Sequence, residues 1–242
     1  MGRAKPAGAG LLLVAAATLL GSCGSSKTSA LVLASSHPDT LAAARYVAVR
    51  AGDLPDGFRS HAVSARDAAL DASQTLAEYA CEKLRPPSQK ASATASTPDW
   101  SNSTGTIELR ETTAVFGSDA AAAAHLQLER NSRYPACKAS AFGRSLAAAA
   151  PKGARVGPVD VAISDVPMRY GDSGVEATGV CDVELPGGVS EVATAELVVL
   201  VREHLVVELT IGTDGPDPKA LVSALTTDLA GRLAQVLPAP KR

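Results

Sequence analysis

Residues 175–211 read VEATGVCDVELPGGVSEVATAELVVLVREHLVVELTI and decide the fold. The first part of this stretch alternates apolar and polar side chains, which is the two-residue period of a strand with one buried face. Pro186-Gly187-Gly188 then predicts a hairpin loop that leads into a second strand over residues 191–201. A tight turn around Glu203-His204 returns the chain through residues 206–211. The stretch therefore predicts three consecutive antiparallel strands.

Two segments on the N-terminal side show the same period. Residues 107–116 place Ile107, Leu109, Thr113 and Val115 on one face, and place Glu108, Arg110 and Thr112 on the other. Val159, Val161 and Ile163 also alternate with other residues. Together with the central stretch, these segments predict a sheet of about five strands.

Helical spacing is found on both sides of the strands. Residues 68–84 repeat apolar side chains at four-residue steps, and the next helix is capped by Ser118 and broken or restarted by Pro135 before a run over residues 138–149. The last helix follows Asp217-Pro218 and carries an apolar stripe. The stripe consists of Leu221, Leu225, Leu229, Leu233 and Val236.

This order of elements predicts an α+β fold. Helices come first, then a run of antiparallel strands, then a closing helix, so we expect an antiparallel sheet with helices packed against it. Residues 85–105 are polar and rich in turn formers, and we expect them to form a loop that carries Trp100.

The first residues have the layout of a bacterial export signal. Arg3 and Lys5 precede the apolar residues 11–20, and Leu20-Gly21-Ser22-Cys23 resembles the lipobox of bacterial lipoproteins. The apolar run is shorter than the roughly 20 residues that span a membrane. We therefore expect residues 1–22 to be removed and Cys23 to be lipidated. The alternative is a conventional signal peptide in which Cys23 is incidental.

The domain boundaries follow from composition. The signal peptide is followed by a stretch rich in Ser, Gly, Thr and Ala, and we expect residues 23–44 to be a flexible tether. A single domain over residues 45–238 and a tail over residues 239–242 complete the chain. The expected location is the outer side of the cell membrane, with the N-terminal lipid as the contact to the bilayer.

The charge balance excludes one class of partner. The chain has 23 Lys and Arg residues against 25 Asp and Glu residues, and removal of the signal peptide takes away Arg3 and Lys5. Nucleic-acid surfaces rely on concentrated positive charge, so we expect no nucleic-acid partner. We expect the partner to be an unknown small molecule, glycan, lipid or envelope protein.

Three cysteines follow Cys23 in a compartment that permits disulfides. Cys81 and Cys137 lie at predicted element boundaries near prolines, where two helices can be joined, and we expect them to pair. Cys181 lies on the apolar face of a strand and is expected to be a buried free thiol. The alternative is a bond from Cys181 to one of the other two.

No pattern of catalytic or metal-binding residues is present. His37, His61, His125 and His204 are scattered, and none makes a zinc-like pair with a cysteine. For His125 we expect a place at the edge of the core. The chain has no Gly-x-Ser-x-Gly elbow and no phosphate-binding glycine loop, so we expect neither enzymatic activity nor a cofactor nor a metal.

Several segments resemble secreted and lipid-anchored sensor-domain proteins of actinobacteria. They are AGDLPDGF at 51–58, Ala80-Cys81, TAVFGS at 113–118 and YPAC at 134–137. The order of elements is also similar to the extracellular sensor domain of the mycobacterial kinase PknH and, more loosely, to PsbP-like lipoproteins. The resemblance implies a non-catalytic envelope domain that binds something in a groove of its sheet. It implies no particular site residue.

The function expected from these observations is ligand binding or sensing by a lipid-anchored envelope protein. Two alternatives stay open. One is a hydrolase of cell-wall or small esters with an unrecognised site, and the other is a structural scaffold for a membrane partner.

The anchor is tested by Cys23→Ser in a bacterial host. We expect the variant to lose incorporation of a labelled fatty acid and to leave the membrane fraction, because the acylated thiol is gone. Cys181→Ala is the matched control and should keep both properties. Labelling that persists without Cys23 would contradict the prediction.

Overall fold

The computed structural model describes residues 38–62, 77–83, 91–167, 173–215 and 217–236. The predicted signal peptide, Cys23, His37, the first part of the tether and the tail at 239–242 lie outside these residues, as do residues 68–76 of the first predicted helix.

The strands form one antiparallel sheet, which confirms the predicted α+β class. They are β1 (Arg59–His61), β2 (Ala93–Ser96), β3 (Asp99–Ser101), β4 (Ile107–Val115), β5 (Arg155–Asp165), β6 (Ser173–Glu184), β7 (Ser190–Arg202) and β8 (Leu205–Asp214). The spatial order is β1-β3-β4-β8-β7-β6-β5, and β2 also pairs with β4. All pairs are antiparallel.

The predicted count of about five strands was too low. The five long strands β4 to β8 were predicted, but β1, β2 and β3 are short and partly polar, so they show no clear alternation. Two of them lie in the segment that was predicted as a loop, where Trp100 of β3 is opposite Leu109 of β4. Strands β2 and β3 form because the edge of β4 offers them backbone partners, and β1 pairs in turn with β3.

The central meander consists of the three consecutive antiparallel strands that were predicted. Residues Ala177 and Leu197 are opposite each other in β6 and β7, and Val199 is opposite Glu208 in β7 and β8. The tight turn falls at Glu203 and His204, where Glu203 has a positive φ of 50°.

Helices cover both faces of the sheet. They are α1 (Pro38–Val47), a helix α2 described over residues 77–82, α3 (Asp119–Glu129), α4 (Tyr134–Ala149) and α5 (Lys219–Val236), with a 3₁₀ turn at Ala51–Asp53. One face packs on α1 and α5 through Leu41, Ala44, Val47, Val198, Leu200, Val207, Leu209, Leu225, Leu229 and Leu233. The other packs on α3 and α4 through Leu126, Tyr134, Phe142, Leu146, Ala177, Cys181, Leu197 and Val199.

The domain begins earlier than Arg45, where its start was expected. Helix α1 starts at Pro38, and its buried residues Leu41, Ala44 and Val47 recur at three-residue steps. Alanine-rich composition made this helix look like a tether. Arg232 of α5 fixes it by donating from Nη1 to the Ala48 carbonyl at 2.8 Å.

The cysteines pair as predicted. Cys81 and Cys137 form a disulfide, and Cys181 is a free thiol that is 2% exposed. Cys137 was expected at the end of the helix that precedes it. It lies instead in the first turn of α4. Pro135 takes an early helical position in which its missing N–H needs no partner, so α4 starts at Tyr134.

Within the described residues, no helix combines the length and the apolar character needed to cross a bilayer.

Removal of the disulfide by Cys81→Ala with Cys137→Ala should lower the free energy of unfolding by about 4 kcal/mol, because the cross-link closes a long loop in the unfolded chain. The two cysteines are 56 residues apart in sequence. Urea denaturation measures the loss, and Cys181→Ala is the control with a smaller effect. Recovery of Cys181 in a linked peptide after digestion without reduction would contradict the pairing.

Candidate functional site

An open depression lies between α2, α3, α4 and the sheet. We call it the charged cleft. Its lining residues are Glu78, Tyr79, Glu82, His125, Leu128, Glu129, Tyr134, Lys138, Leu197 and Glu208. Six of these ten side chains are ionisable Glu, Lys or His, although the cleft sits against the core of the sheet.

Three helices each supply a pair of residues four positions apart. Side chains at that spacing share one face of a helix. Glu78 and Glu82 come from α2, His125 and Glu129 from α3, and Tyr134 and Lys138 from α4. The three faces converge on the sheet.

The strand β8 completes the cleft with Glu208. Its neighbours Val207 and Leu209 point to the opposite face and pack in the layer of α1 and α5. Because side chains alternate along a strand, Glu208 points toward α3. There it pairs with Nε2 of His125.

Helix α3 brings His125 to this position through its N-terminus. Oγ of Ser118 accepts the backbone N–H of Ala121 at 3.2 Å, as predicted for the cap. Asp119 occupies the first turn, where the helix dipole favours negative charge.

Lys138 links two of the helices. Its Nζ donates to Oε2 of Glu78 at 2.6 Å and lies 5.1 Å from the centroid of the Tyr134 ring. The disulfide lies beside this ion pair, because Cys137 directly precedes Lys138 and Cys81 follows Glu78 by less than one helical turn. The cross-link therefore holds the acidic face of α2 against α4.

The buried carboxylates of the cleft are only partly satisfied. Oε1 of Glu78, Oε2 of Glu82 and Oε2 of Glu129 have no hydrogen-bond partner among the described residues. Glu82 is 5% exposed and Glu129 is 7% exposed. Buried oxygens without donors cost free energy, so this arrangement destabilises the fold as it stands.

Burial changes the protonation of these groups. Loss of hydration raises the pKa of Glu82 to about 7, and the charge of Glu129 acts in the same direction. Burial also raises the pKa of Glu78 and the pKa of Glu129, and the charge of Lys138 opposes both increases. For His125, burial favours the neutral ring, but Glu208 outweighs it and the pKa of the imidazole is raised.

A second depression adjoins the charged cleft, and we call it the apolar extension. It shares Tyr134, Lys138 and Leu197 with the charged cleft. Its other lining residues are Phe142, Val161, Ala177, Gly179, Ala195 and Glu196. At Gly179 a Cβ would lie 3.1 Å from Cδ1 of Phe142, so the glycine leaves room for that ring over β6.

The histidines considered in the sequence are separated in space. His61 is exposed on β1, and His204 lies in the turn between β7 and β8 with Nδ1 3.7 Å from Asp119. His125 is buried next to the core, as expected, but it also lines the charged cleft. Within the described ranges, no three His, Cys, Asp or Glu side chains are arranged to hold a metal ion.

Sequence reasoning missed the acidic residues of the cleft. Only the apolar side chains of this helix were considered in the sequence, and Glu78 and Glu82 received no interpretation. A signal was present, because Glu78 and Glu82 flank Cys81 and the predicted disulfide brings that cysteine to Lys138.

The raised pKa values predict a pH dependence of stability. A group with a raised pKa in the folded state stabilises the fold below its unfolded pKa, and this contribution is lost as the pH rises through the folded pKa. For Glu82 that window runs from 4.5 to about 7. The free energy of unfolding should therefore be lower at about pH 8 than at about pH 5, and Glu82→Gln should reduce the difference.

Chemical denaturation at both pH values measures this effect. Glu111, Glu196 and Asp214 also have raised pKa values and act in the same direction, so the variant is compared with the wild type. Glu184→Gln, at an exposed position on β6, is the matched control and should keep the wild-type difference. An unchanged difference in Glu82→Gln would contradict the prediction.

No family model and no characterised protein sequence matches this chain. Among solved structures, the extracellular domain of PknH from Mycobacterium tuberculosis matches with a TM-score of 0.33 and 11% sequence identity, over 66% of this chain and 68% of that chain. A match this weak assigns the chain to no family. The resemblance based on sequence motifs therefore stays a prediction.

Proposed function

We propose that this protein is a non-enzymatic envelope lipoprotein whose domain binds a small ligand in the charged cleft. The lipid on Cys23 holds the domain at the outer face of the plasma membrane, and residues between Cys23 and α1 serve as the tether. The observation that carries the binding function is the set of buried, unpartnered carboxylate oxygens that line an open cleft.

A comparison with Glu111 supports this interpretation. Glu111 is fully buried on the opposite face of the sheet, yet it accepts the N–H of Val49 at 3.2 Å and the hydroxyl of Thr113 at 2.6 Å. The fold thus supplies donors to this buried carboxylate, whereas Glu196 and Asp214, which lie outside the charged cleft, also keep oxygens without a partner among the described residues. Glu82 has an open cleft in place of such donors, which is the arrangement expected where a ligand supplies them.

The form of the cleft also suits reversible binding. It combines carboxylates, an ammonium and an imidazole with the apolar extension, and it is open to solvent. Small-molecule sites commonly join a mostly apolar wall to a few polar groups that fix orientation.

The proposal is tested by filling the cleft with Leu128→Trp. Leu128 is half-buried in the cleft lining, so the larger side chain should occupy the space that a ligand needs. The wild type is screened by thermal shift and native mass spectrometry against amines, carboxylic acids, sugars and short lipids. We expect some compounds to raise Tm by mass action, and we expect Leu128→Trp to lose that response.

Leu221→Trp is the matched control, because Leu221 is a half-buried leucine on α5 in the opposite layer. It should respond to the same compounds as the wild type. Absence of any stabilising compound, or stabilisation that survives in Leu128→Trp, would refute binding in the cleft.

A further inference from the structure

We infer that the charged cleft takes an organic cation, with an ammonium group among the glutamates and a short apolar body in the apolar extension. This inference rests on the ligand-binding function proposed above and names its ligand class. It follows from three observations on the described residues: charge, unused hydrogen-bond acceptors and shape.

The described lining of the cleft has more carboxylates than cations. Four glutamates line it, against Lys138 and His125. Lys138 is engaged with Glu78, and His125 is engaged with Glu208. Arg144 acts on Glu78 through its charge but does not line the cleft. Among the residues that the structure describes, no cation forms an ion pair with Glu82 or Glu129.

The unused acceptors indicate a ligand with several donors. Among the described residues, Glu78, Glu82 and Glu129 each present one carboxylate oxygen without a donor. An ammonium group has three N–H donors and no acceptor, which complements such a set. Glu82 supports this inference independently of the charge count. The residue is 5% exposed and lines the cleft. Its Oε2 accepts no hydrogen bond from the described residues.

The apolar extension indicates that the cation is organic. It begins at Tyr134, whose ring already lies against a cation in Lys138, and it continues along Phe142, Ala177 and Ala195. An inorganic ion would leave this space unused. An alkyl or aryl body would bury apolar surface there while the ammonium group reaches the glutamates.

Binding should weaken in acid. Below the pKa of Glu82, about 7, its carboxyl group must release a proton before it can hold a cation. The groups that face it are Glu78 on its own helix, Glu129 and His125 on α3, Lys138 on α4 and Glu208 on β8. The dissociation constant of an ammonium probe should therefore rise by up to about tenfold per pH unit below that pKa.

The test uses three probes with the same six-carbon body: hexylammonium, hexanol and hexanoate. Isothermal titration at about pH 8 uses the full chain with Cys23→Ser, so that no attached lipid competes for the probes. We expect hexylammonium to bind and the other two probes not to bind. Glu82→Gln should weaken hexylammonium by about tenfold or more, which is the loss of one charge-assisted hydrogen bond. Removal of a buried charge should leave this variant folded.

Glu184→Gln is the control and should bind like the unsubstituted protein. Hexanol or hexanoate binding that Leu128→Trp abolishes would overturn the cation class and keep the ligand-binding function. Equal displacement of hexylammonium by sodium, potassium and magnesium at the same ionic strength would show that the glutamates attract any cation. That result would overturn the inference. If none of the three probes binds, the inference of an organic cation is also overturned. The broader compound screen tests the proposed ligand-binding function separately.

Discussion

Burial of strand β7 on both faces is the constraint on which the rest of the structure depends. Every residue from 193 to 202 is buried, so neither face of this strand can be left to water. A central strand of this kind needs a helical layer on each side. Helices α1 and α5 supply one layer and α3 and α4 the other. The long strands on either side of β7 extend the same two surfaces.

The charged cleft is a local exception to this apolar order. Glu208 lies on β8, next to β7, where apolar side chains would complete the layer. A carboxylate in such a place costs several kcal/mol of hydration, and an ion pair offsets this cost only in part. Among the described residues, His125 pairs with Glu208 and Lys138 pairs with Glu78, and the raised pKa values of Glu82 and Glu129 favour the protonated form of the other two glutamates.

The sequence predicted those parts of the fold that have a long and regular period. The meander β6-β7-β8 and helix α5 belong to this class, because one face of each is apolar over many residues. Strands β1 to β3 were missed because three or four residues cannot establish a period and because their pairing with β3 or β4 depends on tertiary contact. Helix α1 was missed because alanine is common in linkers and in helices.

The cleft could not be predicted in the same way, because it has no local period of its own. Its pairs at four-residue spacing look like ordinary solvent faces, and only tertiary contact shows that they converge. Glu78 and Lys138 are 60 residues apart in sequence. The disulfide is a long-range contact that was predicted from the sequence, and it joins α2 and α4, the helices that carry Glu78 and Lys138.

That disulfide also relates the charged cleft to the cellular compartment in which the domain works. Glu78 and Lys138 meet beside Cys81 and Cys137, so a covalent bond holds two helices whose facing side chains are charged. Charged faces contribute little apolar burial, and a cross-link compensates by restricting the unfolded chain. Such a bond persists in an oxidising space and is lost in the reducing cytosol. The geometry that brings the glutamates together is therefore one that suits a domain working outside the cell, where its predicted lipid anchor would place it.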